Sequence, residues 1–171
     1  MNRPEKTEYA EYYERYISLV EETDVIAVFE NQQSELLKLL KEITEEKSLS
    51  AYAEGKWTIK ELLGHLSDGE RIFGYRALRI SRADKTPMEG FEQDGYIENS
   101  NFNNTKLSDL IAEFLYLRKA NGIFFQNLTE EDWLRTGTAS DATVSVRALA
   151  YIMVGHIRHH LKILNERYLA Q

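Results

Sequence analysis

Apolar residues recur at three- and four-residue intervals over four long stretches of this chain, the period of a helix with one buried face. The first stretch runs from about Thr23 to Lys47. Val25, Phe29, Leu36, Leu40 and Ile43 mark its stripe, and Gln32 and Gln33 interrupt it. Those glutamines either face solvent or line a cavity. The second stretch opens at Thr58, with Glu61 three residues on. This is the spacing of a capping box, in which each side chain takes a free backbone N–H of the other residue. Trp57 stands just before the cap, where it can anchor the entry. The stripe continues through Leu62, Leu66, Ile72, Phe73 and Ile80 to about Arg82, and His65 falls inside it. A third stretch, about Leu107 to Leu128, carries Leu107, Leu110, Ile111, Phe114, Leu117 and Phe125. The fourth, about Thr143 to Leu169, groups Leu149, Ile152, Met153, Ile163 and Leu164 on one face. Ala150, Val154, Ile157 and Leu161 form a second stripe roughly 100–160° away.

The intervening segments set the topology. Residues 1–22 begin polar and then carry Tyr9, Tyr12, Tyr13 and Tyr16, which predicts a short helix or an arm packed on the body. Ser48 to Gly55 is a turn region. Ala83 to Asn104 holds Pro87, Gly90 and Gly95 without a helical period, yet Phe91, Tyr96, Ile97 and Phe102 predict an ordered crossing rather than disorder. A crossing of that length can return along a whole helix, so the second and third helices run parallel. Thr129 to Ala142 reads as a loop. The prediction is an all-α fold: one domain over residues 1–171, a four-helix bundle of up-down-down-up topology with its long crossover between helices 2 and 3. The last helix is apolar on two sides, so either the bundle wraps it fully or it meets a second copy. A homodimer is therefore expected.

Composition narrows the class. The 171 residues, 43% hydrophobic and 29% charged, suffice for a core without staples. The net charge of −7 gives nucleic-acid binding no electrostatic support. No cysteine occurs, which excludes disulfides, thiolate metal sites and a cysteine nucleophile and fits a cytoplasmic protein. No apolar run reaches membrane-spanning length, and Met1 to Glu14 is polar, unlike a signal peptide.

The candidate chemistry lies in the histidines. Three of the four sit in the run Gly155-His156-Ile157-Arg158-His159-His160. His156 and His160 are four residues apart, about 40° from each other on a helix, so two imidazoles on one turn can share a metal ion. Their face is the apolar one, so each ring must find partners for its nitrogens. The bland alternative is a pair of hydrogen-bonded core histidines. His65, in the stripe of the second helix, supplies the third ligand such a pair needs. Glycine directly precedes both His65 and His156. Since glycine costs about 1 kcal/mol in a helix interior, close helix–helix approach at this level is expected. Gly69, one turn beyond His65, leaves space beside the imidazole.

These residues carry a family resemblance. The run from Glu54 through Trp57, Thr58, Glu61, Gly64, His65 and Asp68 to Arg76 resembles the second-helix signature of the DinB-like (DinB/YfiT) superfamily. Ser145 through Gly155-His156-Ile157-Arg158-His159-His160 is similar to its C-terminal signature, and Pro87 to Asp94 also matches. The resemblance covers nearly the whole chain. It implies an up-down-down-up four-helix bundle, often dimeric, that holds a divalent metal by three histidines, here His65, His156 and His160. His159 matches a neighbouring family histidine that is not usually a ligand. Characterised members include transferases and isomerases that use low-molecular-weight thiols.

Three imidazoles leave coordination positions open, as in catalytic zinc sites. Zn²⁺ and Ni²⁺ are the leading ions, and Fe²⁺ or Mn²⁺ also fit. The expected function is that of a metalloenzyme acting on a small-molecule substrate, as a thiol-dependent S-transferase or a metal-assisted hydrolase. The alternative is a non-catalytic metal-containing binding or structural module. Glu61 and Asp68, on the His65 side of their helix, are candidates to orient its imidazole, and Asp94 and Tyr96 are candidates for the site mouth. Glu70 reads as a packing or salt-bridge residue.

Overall fold

The computed structural model describes residues 2–170. An N-terminal arm of two 3-10 turns leads into α1 (Glu14–Ile17). Then come α2 (Val25–Leu40), α3 (Ile59–Ser81), α4 (Gln93–Glu98), α5 (Leu107–Gln126) and α6 (Glu130–Leu134). A hairpin of β1 (Thr136–Ala139) and β2 (Ala142–Ser145) follows, and α7 (Val146–Ile163) ends in a π-helical turn, Leu164–Leu169. The four long helices α2, α3, α5 and α7 form the bundle. Both α2 and α3 pack against α5 and α7, so α2 and α3 occupy opposite corners.

Side-chain contacts give the directions. Val25 and Phe29, early in α2, share one apolar cluster with the first half of α7, and Leu36 and Leu40 share the other with its second half, so α2 runs parallel to α7. His65, near the start of α3, meets His156, late in α7, so these two are antiparallel. Leu62 and Leu66, early in α3, share one apolar cluster with Leu107 and Leu110, early in α5, and Phe73 and Ile80 share the other with Phe125, so α3 and α5 are parallel. This is the expected up-down-down-up order, and the crossing over residues 83–104 makes it possible. That crossing is ordered, as Phe91 and Ile97 suggest, and it contains a short helix that the sequence pattern did not reveal. The side chain of Glu92 caps α4 by accepting from the N–H groups of Asp94 and Gly95.

Other boundaries differ from expectation. The first bundle helix ends at Leu40, not Lys47. The loop expected over Thr129 to Ala142 is largely regular: a capping box at Thr129 starts α6, and the hairpin pairs Thr136 with Ser145 and Ala139 with Ala142. Its turn residues Ser140 and Asp141 both have positive φ, 52° and 59°, as a tight two-residue hairpin requires. Asn-Gly is the familiar signal for such a turn, and Ser-Asp is not. Met88 bridges to Ala139, tying the crossing to the hairpin.

The second stripe of the last helix is covered within the chain. Ala150, Val154 and Ile157 are fully buried and Leu161 nearly so, against α2, α3 and α5. Of the two alternatives for this stripe, wrapping by the bundle is the one found, so the stripe itself does not call for a second copy. The two glycines before the histidines also serve a different approach from the one expected. A Cβ on Gly64 would collide with the ring of Phe102 from the crossing, and one on Gly155 with the carbonyl of Tyr16 from the arm. They admit the arm and the crossing, not a neighbouring bundle helix. Among the described residues, no helix is long and apolar enough to cross a membrane.

Candidate metal centre

Two apolar clusters fill the bundle, one against the first half of α7 and one against its second half. His156 lies on α7 between them. The capping box predicted at the head of α3 is present: Thr58 accepts from the N–H of Glu61, and Glu61 accepts from that of Thr58. This fixes where α3 begins, and six residues later His65 turns inward. Ser145 caps α7 by accepting from the N–H of Ala148, and Glu8 of the arm accepts from the Ser145 hydroxyl at 2.6 Å.

The three predicted histidines come together. Nε2 of His156 lies 3.0 Å from Nε2 of His65 and 3.1 Å from Nε2 of His160. The possible ligand atoms of the triad are all within 4.8 Å of one another. All three side chains are buried. Their ring planes are steeply inclined, at 68–80°, so the nitrogens converge while the rings fan out. Tyr16 stands edge-on to His156 with centroids 5.2 Å apart, and Trp57 covers His65 at 4.8 Å. A Cβ on Gly69 would lie 3.2 Å from Cε1 of His156, so this glycine makes room for His156 rather than His65. His159 stays at the rim, half-buried, with its ring against Tyr16 and His160.

Burial keeps these imidazoles neutral. It pulls His65 down to about 4, with a smaller contribution from His159. Burial first, and then the neighbouring histidines, hold His156 and His160 well below the usual imidazole value. Each ring therefore carries a free lone pair at neutral pH. A neutral ring nitrogen has either one hydrogen or one lone pair, so Nε2 of His156 cannot satisfy both neighbours in a two-way hydrogen bond. An ion accepting three lone pairs resolves the conflict. Zinc–nitrogen bonds of about 2.0–2.1 Å in tetrahedral geometry put ligand nitrogens roughly 3.3 Å apart, close to the spacing seen here. The donor set thus fits a divalent transition ion. Nδ1 of His160 is buried without a partner among the described residues.

Two expectations about the surroundings need correction. Neither Glu61 nor Asp68 hydrogen-bonds to His65. Glu61 is occupied by the cap and by Asn103 Nδ2 at 2.8 Å, and Asp68 leans toward Arg71. Both lie on the correct side of α3, but stronger donors hold them elsewhere. Asp94 does reach a cavity at the triad, one of about 620 Å³ that His160 also lines. Tyr96 does not; it is half exposed and lines a separate groove beside Arg76. A second cavity, of about 270 Å³, touches His65 and His156 directly, with Tyr12, Tyr13 and Tyr16 of the arm on its wall.

A second buried polar group lies deeper in the same bundle. Arg118 of α5 and Glu70 of α3 form an ion pair at 2.6 Å, exposed 0% and 2%. Arg118 also donates to Oε1 of Gln32, whose Nε2 donates to the Val154 carbonyl at 2.9 Å. Asn121 donates to Glu70 at 2.8 Å, and the guanidinium lies 3.7 Å from the ring centre of Phe29. Glu70 is thus the salt-bridge residue expected. Arg118 is the buried residue that pattern reading missed, although it falls four residues after Phe114, on the apolar stripe of its own helix.

Three histidines converging from two antiparallel helices of a four-helix bundle could hold a metal ion, and comparison gives the family in which this bundle belongs. The chain belongs to the DinB superfamily, whose family model matches residues 29–164. Its fold is similar to that of YfiT from Bacillus subtilis, described as "a probable metal-dependent hydrolase with an unusual four-helix bundle topology". The TM-score is 0.77 at 17% identity, over 99% of this chain and 93% of that one. No curated protein matches the sequence.

Proposed function

We propose that the chain is a metal-dependent hydrolase whose ion is held by Nε2 of His65, His156 and His160. The observation that carries this reading is the convergence of three buried, neutral ring nitrogens that cannot satisfy one another. Zinc or nickel is the leading ion, with iron or manganese compatible with the same donors. A bound ion would supply Lewis acidity, lowering the pKa of a water and polarising a carbonyl or similar group. The chain does the rest. Tyr16 and Trp57 hold the imidazoles in orientation and keep bulk water from their faces. The cavity bordered by His65 and His156 gives a small molecule access to the remaining coordination positions. The description of YfiT as a metal-dependent hydrolase supports the reaction class.

A second reading, transfer to a low-molecular-weight thiol, draws on the absence of cysteine. No thiolate of the chain would compete with an incoming thiol at the ion. The same composition fits a reducing cytoplasm.

The test is elemental analysis of protein purified without a nickel column, beside His65→Ala and His156→Ala. We expect one equivalent of a transition metal in the wild type and its loss from both variants. Full metal content in the variants would refute the ligand set. A wild type that takes up no metal on reconstitution would leave a bundle with a buried histidine cluster, and a binding or structural role would replace catalysis. Activity of the loaded protein, toward water and toward an added thiol, then separates the two reactions.

A further inference from the structure

The larger cavity beside the triad has its own chemistry. Tyr52, Trp57 and Tyr168 supply three aromatic side chains to its lining. Tyr52 and Tyr168 meet edge to face, with centroids 4.9 Å apart, and the Tyr168 hydroxyl donates to the Trp57 carbonyl at 2.6 Å. That bond ties the π-helical turn after α7 to the residue before α3, so the aromatic wall is braced. Asp94 and Glu98 of α4 also line the cavity. They are four residues apart, on one helix face, where like charges repel each other. Neither carboxylate has a hydrogen-bond or ion-pair partner among the described residues. Glu61 adds a third carboxylate, already engaged by Thr58 and Asn103, and Lys56 the one cation of the lining, with no ion pair to any of the three. The lining therefore carries a net negative charge.

The cavity touches the candidate metal centre. His160 forms part of its wall, is 7% exposed, and has an Nδ1 atom without a partner. Trp57 stands between the cavity and His65. Aromatic faces and unpaired carboxylates together recognise an organic cation: the ring quadrupole attracts the charge, and the carboxylates accept its hydrogen bonds. A volume of about 620 Å³ suits a small molecule.

We propose that this cavity binds a small organic ammonium compound, with its charged nitrogen beside Asp94 and Glu98 and its carbon frame on Tyr52, Trp57 and Tyr168. Calling that compound the substrate rests on the triad being the reaction centre; its binding does not. An amine-bearing molecule seated there directs its other end toward His160. The substrate class is then an amine carrying a hydrolysable group at some distance from the nitrogen.

The test uses the full chain as purified and two probes of one frame, benzylammonium and benzyl alcohol. The readout is the Trp57 indole N–H resonance, assigned with Trp133→Phe. We expect saturable shifts with benzylammonium at an affinity about tenfold or more above that of benzyl alcohol, a preference that weakens with added salt. The variant Asp94→Asn/Glu98→Gln, altered only at exposed positions, should remove the preference and keep the fold by circular dichroism. Equal affinity for the two probes, no saturable shift with benzylammonium, or a preference unchanged in the double variant would each overturn the proposal. Repeating the titration on metal-stripped protein separates the two readings. Ammonium binding should persist there, and a loss of it would overturn the proposal; failure of the protein to take up metal in the elemental analysis would instead sink the hydrolase and leave the cation site standing.

Discussion

Two polar clusters share the interior of this bundle, and they are built on opposite principles. In the Arg118–Glu70–Gln32–Asn121 group, opposite charges face each other and most donors have acceptors. In the histidine triad, three groups of one kind point their nitrogens at a common centre, and among the described residues no group of opposite charge faces them. Both are buried, so burial alone does not separate a structural cluster from a candidate site. Complementarity does. The first group is closed on itself, whereas the second, on the proposed reading, is completed by an ion from outside, and two cavities border it.

The largest effect that would sharpen this contrast is expected from Arg118→Met. It leaves the Glu70 carboxylate buried without its partner, at a cost of about 3–5 kcal/mol in urea unfolding. Arg118→Met/Glu70→Gln should lose clearly less, because the uncompensated charge is gone. A double variant as unstable as the single one would show that packing, not charge pairing, holds this layer.

The triad should respond to pH instead. Burial holds His65 at about 4, against 6.5 for a free imidazole. A folded value below the unfolded one means that the unfolded chain takes up protons first, so stability falls as pH drops from about 6.5 toward 4. For His65 alone the loss at pH 5 is about 2 kcal/mol in metal-free protein. Urea midpoints of the metal-free chain at pH 7 and pH 5 measure it, and His65→Ala should flatten the difference. A midpoint unchanged between the two pH values would mean the triad accepts a proton as easily folded as unfolded.

The smallest effect is expected at Asp68. Its carboxylate leans toward Arg71 and not toward an imidazole, so Asp68→Asn should leave metal content unchanged in the same elemental analysis. A drop in bound metal would return Asp68 to the role its place on the helix suggests.

The sequence made the triad legible because helical spacing is rigid: residues 156 and 160 must share a face, and the stripe of α3 points His65 inward. The bundle order followed from one long crossing between periodic segments. The Arg118 layer was only partly visible. The sequence pattern leaves Gln32 open between solvent and a cavity, reads Glu70 as a packing or salt-bridge residue and passes over Arg118, because which stripes meet depends on how the helices pack. Cap and hairpin chemistry was uneven for the same reason. The box at Thr58 is a local pattern and was read correctly, whereas the Ser140–Asp141 turn is supported by its bridge to Met88, far away in sequence. The carboxylates of Glu61 and Asp68 show the limit of wheel geometry, which gives a direction and says nothing of competing donors such as Asn103.

The seat of Tyr16 on Gly155 has a consequence for the order in which the molecule is assembled. The arm is synthesised before the helix that receives it. The same holds for the ion pairs of Glu8 with Arg147 and of Glu22 with Arg158, each bridging more than 130 positions. The packing of Tyr13 on Phe73 can form earlier, whereas the contacts of Tyr16, Glu8 and Glu22 with the last helix cannot form until α7 has left the ribosome. Contacts of such long range are among the slowest to form. The wall that Tyr12, Tyr13 and Tyr16 raise beside the histidines and the triad itself therefore await the same helix, because α7 carries His156 and His160 as well as the seat of the arm.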